Sequence, residues 1–156
     1  MDNIKELSIT RTFDAPLEKV WRAWTDAEAL SKWWGPSGVT NPTCEWQAEP
    51  GGKIHVVMLA GEELGPMAGQ EWPMTGTFKE VEPMKKLVFA SSALQDGKPI
   101  LENLNTITFT EENGKTTMKL HVVVTMATEE AKFALQGMDM GWNQSIDKLT
   151  DYLGGQ

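Results

Sequence analysis

The sequence predicts an α+β domain in which a curved antiparallel sheet of about seven strands wraps a long C-terminal helix, with two short helices after the first strand. Three observations predict it. Residues 128–153 carry the longest helical hydrophobic period in the chain. Six stretches between residues 43 and 126 read as strands separated by turn chemistry. The last of them is apolar on one face only, so the sheet needs a cover on one side.

Taken in order, residues 4–13 (IKELSITRTF) alternate from Leu7 onward, with Leu7, Ile9 and Phe13 on one face and Ser8, Thr10 and Thr12 on the other. That is the pattern of a half-buried strand. Asp14-Ala15-Pro16 reads as a cap followed by proline at a helix start, and Leu17, Val20, Trp21 and Trp24 form the apolar face of a short helix. Thr25-Asp26 breaks it and caps a second short helix over residues 27–33. Residues 34–38 (WGPSG) stop that helix, because glycine and proline do not continue the hydrogen-bond ladder.

Strands are expected at 43–48, 53–60, 72–81, 86–94, 103–110 and 116–126. The separators are Pro50-Gly51-Gly52, the loop 61–69, Glu82-Pro83-Met84, Asp96-Gly97-Lys98-Pro99 and Glu112-Asn113-Gly114-Lys115. Asn113-Gly114 is the clearest hairpin signal. In the last strand Met118, Leu120, Val122, Val124 and Met126 share a face, and Lys119, His121, Val123 and Thr125 share the other.

In the C-terminal helix Leu135, Met138, Trp142, Ile146, Leu149 and Leu153 recur at steps of three and four and line one face. Thr128 is a suitable N-cap, Glu129 and Glu130 place negative charge where the helix dipole favours it, and Gly154-Gly155 ends the helix. Gly137 and Gly141 lie inside it at about 1 kcal/mol each relative to alanine, so a close approach, or room for a guest, is expected there.

A chain of 156 residues makes one domain over 1–156 that buries ~68–70% of its unfolded surface, without needing a disulfide or a metal for stability. The single cysteine, Cys44, excludes an internal disulfide and fits a reducing compartment. The N-terminus has no apolar run of signal-peptide length and no segment reaches membrane-span length, so the expectation is a soluble cytoplasmic protein with no membrane partner. With 14 Lys and Arg against 22 Asp and Glu, a net charge of -8 leaves little for a phosphate-binding face, so no nucleic-acid partner is expected. Seven Trp and nine Met against one Tyr suit an adaptable apolar interior.

RTFDAP at 11–16, VWRAWTDAEALSKWWGP at 20–36, EVEPMKKLVF at 80–89, TFTEENGKTTMKL at 108–120 and GMDMGWNQSIDKLTDYL at 137–153 together resemble the AHSA-type branch of the SRPBCC superfamily, with its START-like, helix-grip fold. The resemblance spans essentially the whole chain. It implies that fold, and it implies a binder of lipids, hormones, polyketides or other apolar molecules between sheet and long helix. The branch takes its name from a domain that activates the ATPase of a heat-shock chaperone, so a chaperone is the alternative partner it implies. A minority of the superfamily are enzymes, such as cyclases.

No sequence motif for phosphate, dinucleotide or metal binding is present: there is no GxxxxGK followed by Ser or Thr, no GxGxxG and no HExxH. His55 and His121 lie on separate strands, and strand parity puts His121 on the solvent side, so no metal is expected. Cys44 alternates with Trp46 and Ala48 and reads as small buried packing rather than a nucleophile. Glu45, Glu49, Glu80 and Glu102 lie near strand ends with no spacing that pairs two as acid and base, so no catalytic residue is assigned and no cofactor is expected. Trp33 reads as a plug between the second helix and the sheet. Trp34, pointing about 100 degrees away on a helix, reads either as structure or as a ring at the open end of a cavity, because both indoles are not expected in the core.

The candidate ligand-binding residues are Trp34, Trp46, Trp72, Met74, Phe89, Met138, Gly141 and Trp142. The leading expectation is a non-enzymatic protein holding an apolar small molecule between sheet and helix. A co-chaperone-like module acting through its surface stands second, and an enzyme on an apolar substrate third. The state expected is monomer or homodimer, with an exposed edge at the strand 53–60 or at the one from Trp72.

Overall fold

The chain builds one seven-stranded sheet, and a computed structural model describes residues 5–154 of it. The elements are β1 (Lys5–Phe13), α1 (Leu17–Thr25), α2 (Ala27–Ser31), β2 (Val39–Trp46), β3 (Lys53–Ala60), β4 (Glu71–Glu82), β5 (Lys86–Gln95), β6 (Lys98–Glu112), β7 (Lys115–Ala127), α3 (Lys132–Gln136) and α4 (Met138–Gly154). Strand order is β1-β7-β6-β5-β4-β3-β2, and every pairing is antiparallel. This is the α+β, helix-grip arrangement.

The edges are therefore β1 and β2. The strands expected to expose an edge, 53–60 and the one from Trp72, are β3 and β4 and are paired on both sides. The true edge β2 starts at Val39, earlier than residue 43, and its register breaks between Thr40 and Thr43 beside Pro42. Proline cannot donate to a ladder, so it is tolerated there and resists further pairing.

Turn chemistry explains the strand lengths. Asn113-Gly114 and Asp96-Gly97 each take positive φ at both positions, 55 and 75 degrees in the first and 54 and 78 degrees in the second. Those are the angles of a two-residue hairpin turn whose twist matches the strands. Because Asp96-Gly97 suffices, Lys98 and Pro99 are not loop but pair with Gln95 and Leu94, and β6 begins at Lys98 rather than at 103. The β5–β6 register breaks between Ala93 and Leu94, with Ile100 of β6 as the extra residue. The loop 61–69 holds a 3-10 turn, Glu62–Met67.

Helix ends depart from the expected caps in two places. Pro16, not Asp14, occupies the N-cap position of α1, and the Leu17 amide donates to Glu111 Oε2 on β6 at 2.9 Å. A carboxylate at a helix N-terminus is favoured by the dipole, and here it comes from the sheet. Asp26 caps α2 as expected, accepting from the Ala29 amide at 3.3 Å. α2 ends at Ser31 rather than 33, where Asn41 Nδ2 takes the carbonyls of Ser31 and Trp34 at 3.0 Å each and draws the chain off the helical path.

The hydrophobic period over 128–153 is real, but the backbone under it is divided. A 3-10 turn (Glu129–Ala131) leads into α3, and a break at Gly137 precedes α4. Thr128 stands at the N-cap without a side-chain cap bond, and Gly154 closes α4, with Gly155 outside the described residues. Met138, Ile146, Leu149 and Leu153 are buried, and Leu135 and Trp142 pack half-buried beside them. They share one core cluster with Met118, Leu120, Val122 and Val124 of β7, all almost fully buried. Each such side chain contributes about 1.5–3 kcal/mol of burial. Arg11 to Asp147 at 2.9 Å and Lys5 to Asp139 at 3.0 Å fasten α4 to β1.

Candidate functional site

The candidate site is the space between the sheet and α4, and its shape is decided by the turn Trp33-Trp34-Gly35-Pro36. α2 has no basic residue in its last turn. Lys148 of α4 supplies one, its Nζ donating to the carbonyls of Trp34, Gly35 and Pro36 at 3.4, 3.2 and 3.3 Å. A cation is favoured at the carbonyl end of a helix. Burial lowers the Lys148 pKa, with the charge of Glu63 working the other way. Beside it, Ser145 Oγ donates to the Trp33 carbonyl and accepts from the Gly35 amide, each at 3.2 Å. Gly35 takes φ of 93 degrees, a conformation that favours glycine.

Held this way, both indoles enter the core, with Trp33 0% and Trp34 6% exposed. The expectation that one of them would stay outside fails for a physical reason. Trp34 still donates its amide to the Leu30 carbonyl at 3.0 Å, but its ring is enclosed on both sides, by Trp46 and Phe89 of the sheet and by Trp142 of α4. Trp33 is the plug its position suggested, its Nε1 donating to the Ala23 carbonyl at 3.0 Å.

Trp34 is the hub of the space. Its ring centroid lies 5.3 Å from Trp46, 5.3 Å from Trp142, 5.9 Å from Trp33, and 6.5 Å from both Trp24 and Phe89. Trp46 in turn lies 5.3 Å from Phe78 and 5.1 Å from Phe89 and donates its Nε1 to the Trp24 carbonyl at 2.7 Å. These are edge-to-face and tilted pairs, the arrangement that the ring quadrupole favours. The space is occupied by rings in mutual contact.

Of the eight candidate residues, the fold brings together Trp34, Trp46, Met74, Phe89, Met138 and Trp142 in one cluster. Trp72 is not in it. It lies half-exposed opposite Met58, near the end of β4, with its Nε1 on Gln70 Oε1 at 3.1 Å. Gly141 is on α4, but a Cβ built there meets nothing within 4 Å. The close approach expected at Gly141 is therefore absent, because the glycine sits beside the buried stripe rather than on it. Gly137 is exposed at the break between α3 and α4.

Trp24, expected on the apolar face of α1, also joins the cluster, and the candidate residues omit the rings of Phe78 and Phe109 and a polar group on the sheet floor. Asn105 is 1% exposed, and its Nδ2 donates to the Phe89 carbonyl at 3.1 Å and to Ser91 Oγ at 3.0 Å. Asn103 lies two residues earlier on the same face. Extending the alternation back from Ile107 and Phe109 would have found both.

Elsewhere the chemistry is muted. Cys44 is half-buried, its Sγ 3.5 Å from the Ala27 carbonyl, and burial raises its thiol pKa, which keeps it protonated. His121 faces solvent and pairs with Glu6 at 3.0 Å. Among the described residues no group of three His, Cys, Asp or Glu side chains could hold a metal, and no helix is long and apolar enough to cross a membrane. Two concavities lie outside the site. One is beside the β6–β7 turn (Thr12, Thr110, Glu111, Asn113, Lys115, Thr117), and the other lies between α1 and Tyr152 (Pro16, Glu18, Arg22).

A family model described as activator of Hsp90 ATPase homolog 1-like protein matches residues 14–154. No curated protein matches the chain. Among solved structures, a protein from Chromobacterium violaceum is 24% identical with a TM-score of 0.77, over 96% of this chain and 97% of that one. A protein from Silicibacter pomeroyi is 23% identical with a TM-score of 0.78, over 96% and 98%. One from Arthrobacter aurescens is 24% identical with a TM-score of 0.80, over 97% and 87%. At these identities the likeness shows the fold.

Proposed function

This chain belongs to the activator of Hsp90 ATPase homolog 1-like family, and from that premise we propose that it is a non-enzymatic binding protein that takes a small apolar molecule between sheet and α4. The observation that carries the reading is the contact between Trp34 and Trp142. A buried ring on the sheet side meets, at 5.3 Å and 85 degrees, a half-buried ring carried by the helix. A planar guest that displaces the Trp142 ring inherits an aromatic wall of Trp34, Trp46 and Phe89. The division of the helix at Gly137 supplies the place where α3 and the first turn of α4 can swing.

Because the rings fill the space, a guest binds to an opened minor state, and its affinity is reduced by the population of that state. The buried polar groups of the sheet floor are Ser91, Asn105 and Thr116, an amide and two hydroxyls. They suit hydrogen bonding to a guest rather than proton transfer, which supports binding over catalysis.

The test is ligand-observed NMR with native mass spectrometry against a library of lipids and aromatic compounds, with Trp142→Ala as the matched variant. Saturation transfer to some members, altered by Trp142→Ala, is expected. Transfer to none would sink the reading. The family description and the exposure of Met140 on α4 (65%) and Leu104 on β6 (38%) favour a second reading, a surface-acting partner of a heat-shock ATPase. It predicts a change in that ATPase's turnover on addition of this protein; an unchanged rate together with no co-purification removes it.

A further inference from the structure

We propose that the guest carries a neutral hydrogen-bond donor at one end, such as an alcohol, phenol or primary amide, and that Asn103 Oδ1, with Asn105 next along the same face, accepts from it. The inference rests on the binding reading above and names the ligand class for it. Asn105 spends both amide hydrogens, on the Phe89 carbonyl at 3.1 Å and Ser91 Oγ at 3.0 Å. That contact decides which way the amide points, since the flipped group would set two carbonyl oxygens against each other. Its Oδ1 is then turned away from them, buried, and without a donor; Asn103 Oδ1 is likewise buried and without one.

Asn103 and Asn105 lie on one face of β6, two residues and about 7 Å apart along the strand backbone. A buried carbonyl oxygen that lacks a donor has given up water and received nothing, so two on one face mark a place where a donor belongs. The pairing is also irregular there: the β6–β7 register breaks between Glu102 and Asn103, with Thr125 of β7 as the extra, unpaired residue. The face sits at the α3 end of the site, because the start of β6 packs against the turn Glu129–Ala131 and the Thr128 amide donates to the Ile100 carbonyl at 2.8 Å. A guest lying along the aromatic wall with its polar end toward β6 presents its donor to Asn103 Oδ1, the acceptor nearer that end.

The chemistry also states what is refused. A carboxylate would bring its own lone pairs against two carbonyl oxygens. An ammonium group would bury a charge among Ser91, Asn103 and Asn105, none of which carries a compensating one.

Naphthalene, 2-naphthol, 2-naphthoate and 2-naphthylmethylammonium share one apolar body and differ at one end, and their affinities for the intact protein at neutral pH test the inference. We expect 2-naphthol to bind about tenfold or more tightly than naphthalene, the yield of one well-made hydrogen bond, with both ions weakest. Asn103→Leu, checked by near-ultraviolet circular dichroism, is expected to erase the preference for the naphthol while keeping naphthalene binding. Equal affinity for naphthalene and 2-naphthol, or a preference that survives Asn103→Leu, overturns the donor inference and leaves apolar binding standing. Binding of none of the four, repeated with dodecane, dodecanol, dodecanoate and dodecylammonium, overturns the binding reading itself. Should Asn103→Leu not fold, the wild-type series still decides.

Discussion

At the scale of residues, Trp34 and Lys148 carry the arrangement between them, one filling the space and the other holding the turn that aims it. Truncating Trp34 removes a buried ring from contact with five others. Trp34→Ala is expected to cost about 3–5 kcal/mol in urea unfolding; a loss below about 1 kcal/mol would mean that the ring is not core. Lys148 makes a prediction with a sign. Burial holds its folded pKa below the ordinary lysine value of about 10.4, so the unfolded chain binds more protons in the interval between the two. Stability from this residue therefore rises with pH across that interval, the reverse of a lysine whose pKa a carboxylate raises. The difference in urea midpoint between wild type and Lys148→Met, followed from pH 8 to about pH 10.5, should move in favour of wild type. A difference that is flat or moves the other way refutes it.

Two glycines show at the scale of elements why a shared residue type does not have a shared role. Gly141 lies within α4 with open space where a Cβ would go, so Gly141→Ala is expected to raise stability by about 0.5–1 kcal/mol. Gly76 of β4 has the Ala90 carbonyl of β5 where its Cβ would go, so the same change there should destabilise. Thermal unfolding of the two variants checks both signs, and a destabilised Gly141→Ala would mean that something does approach the helix. Hairpins were the most legible elements, because Asn-Gly and Asp-Gly take the positive φ that their turns need on local grounds alone. Helix ends were less legible. The cap of α1 comes from Glu111, 94 positions away, and α2 is ended by Asn41 from β2.

For the whole molecule, the sheet is open and, among the described residues, its edges are β1 and β2, each of them protected. β2 has Pro42 and a register break, and β1 is crossed by the ion pairs of Lys5 and Arg11 with α4. The protein is therefore expected to sediment as a monomer at micromolar concentration, and a dimer in analytical ultracentrifugation would point to a face other than the strand edges. Alternation, turn residues and the three-and-four spacing of the last helix are local properties, so the sequence by itself determined the α+β class, most of the strands and the apolar stripe of α4. Which rings fill the interior was not local. Trp72 has the composition of a site residue and lies outside the cluster, while Trp34 enters it because Ser145 and Lys148, more than 100 positions away, hold its turn. Only the tertiary structure decided that, and only it decided that the side-chain oxygens of Asn103 and Asn105 are buried without donors, since the partners a polar group has, or lacks, come from strands brought together by folding.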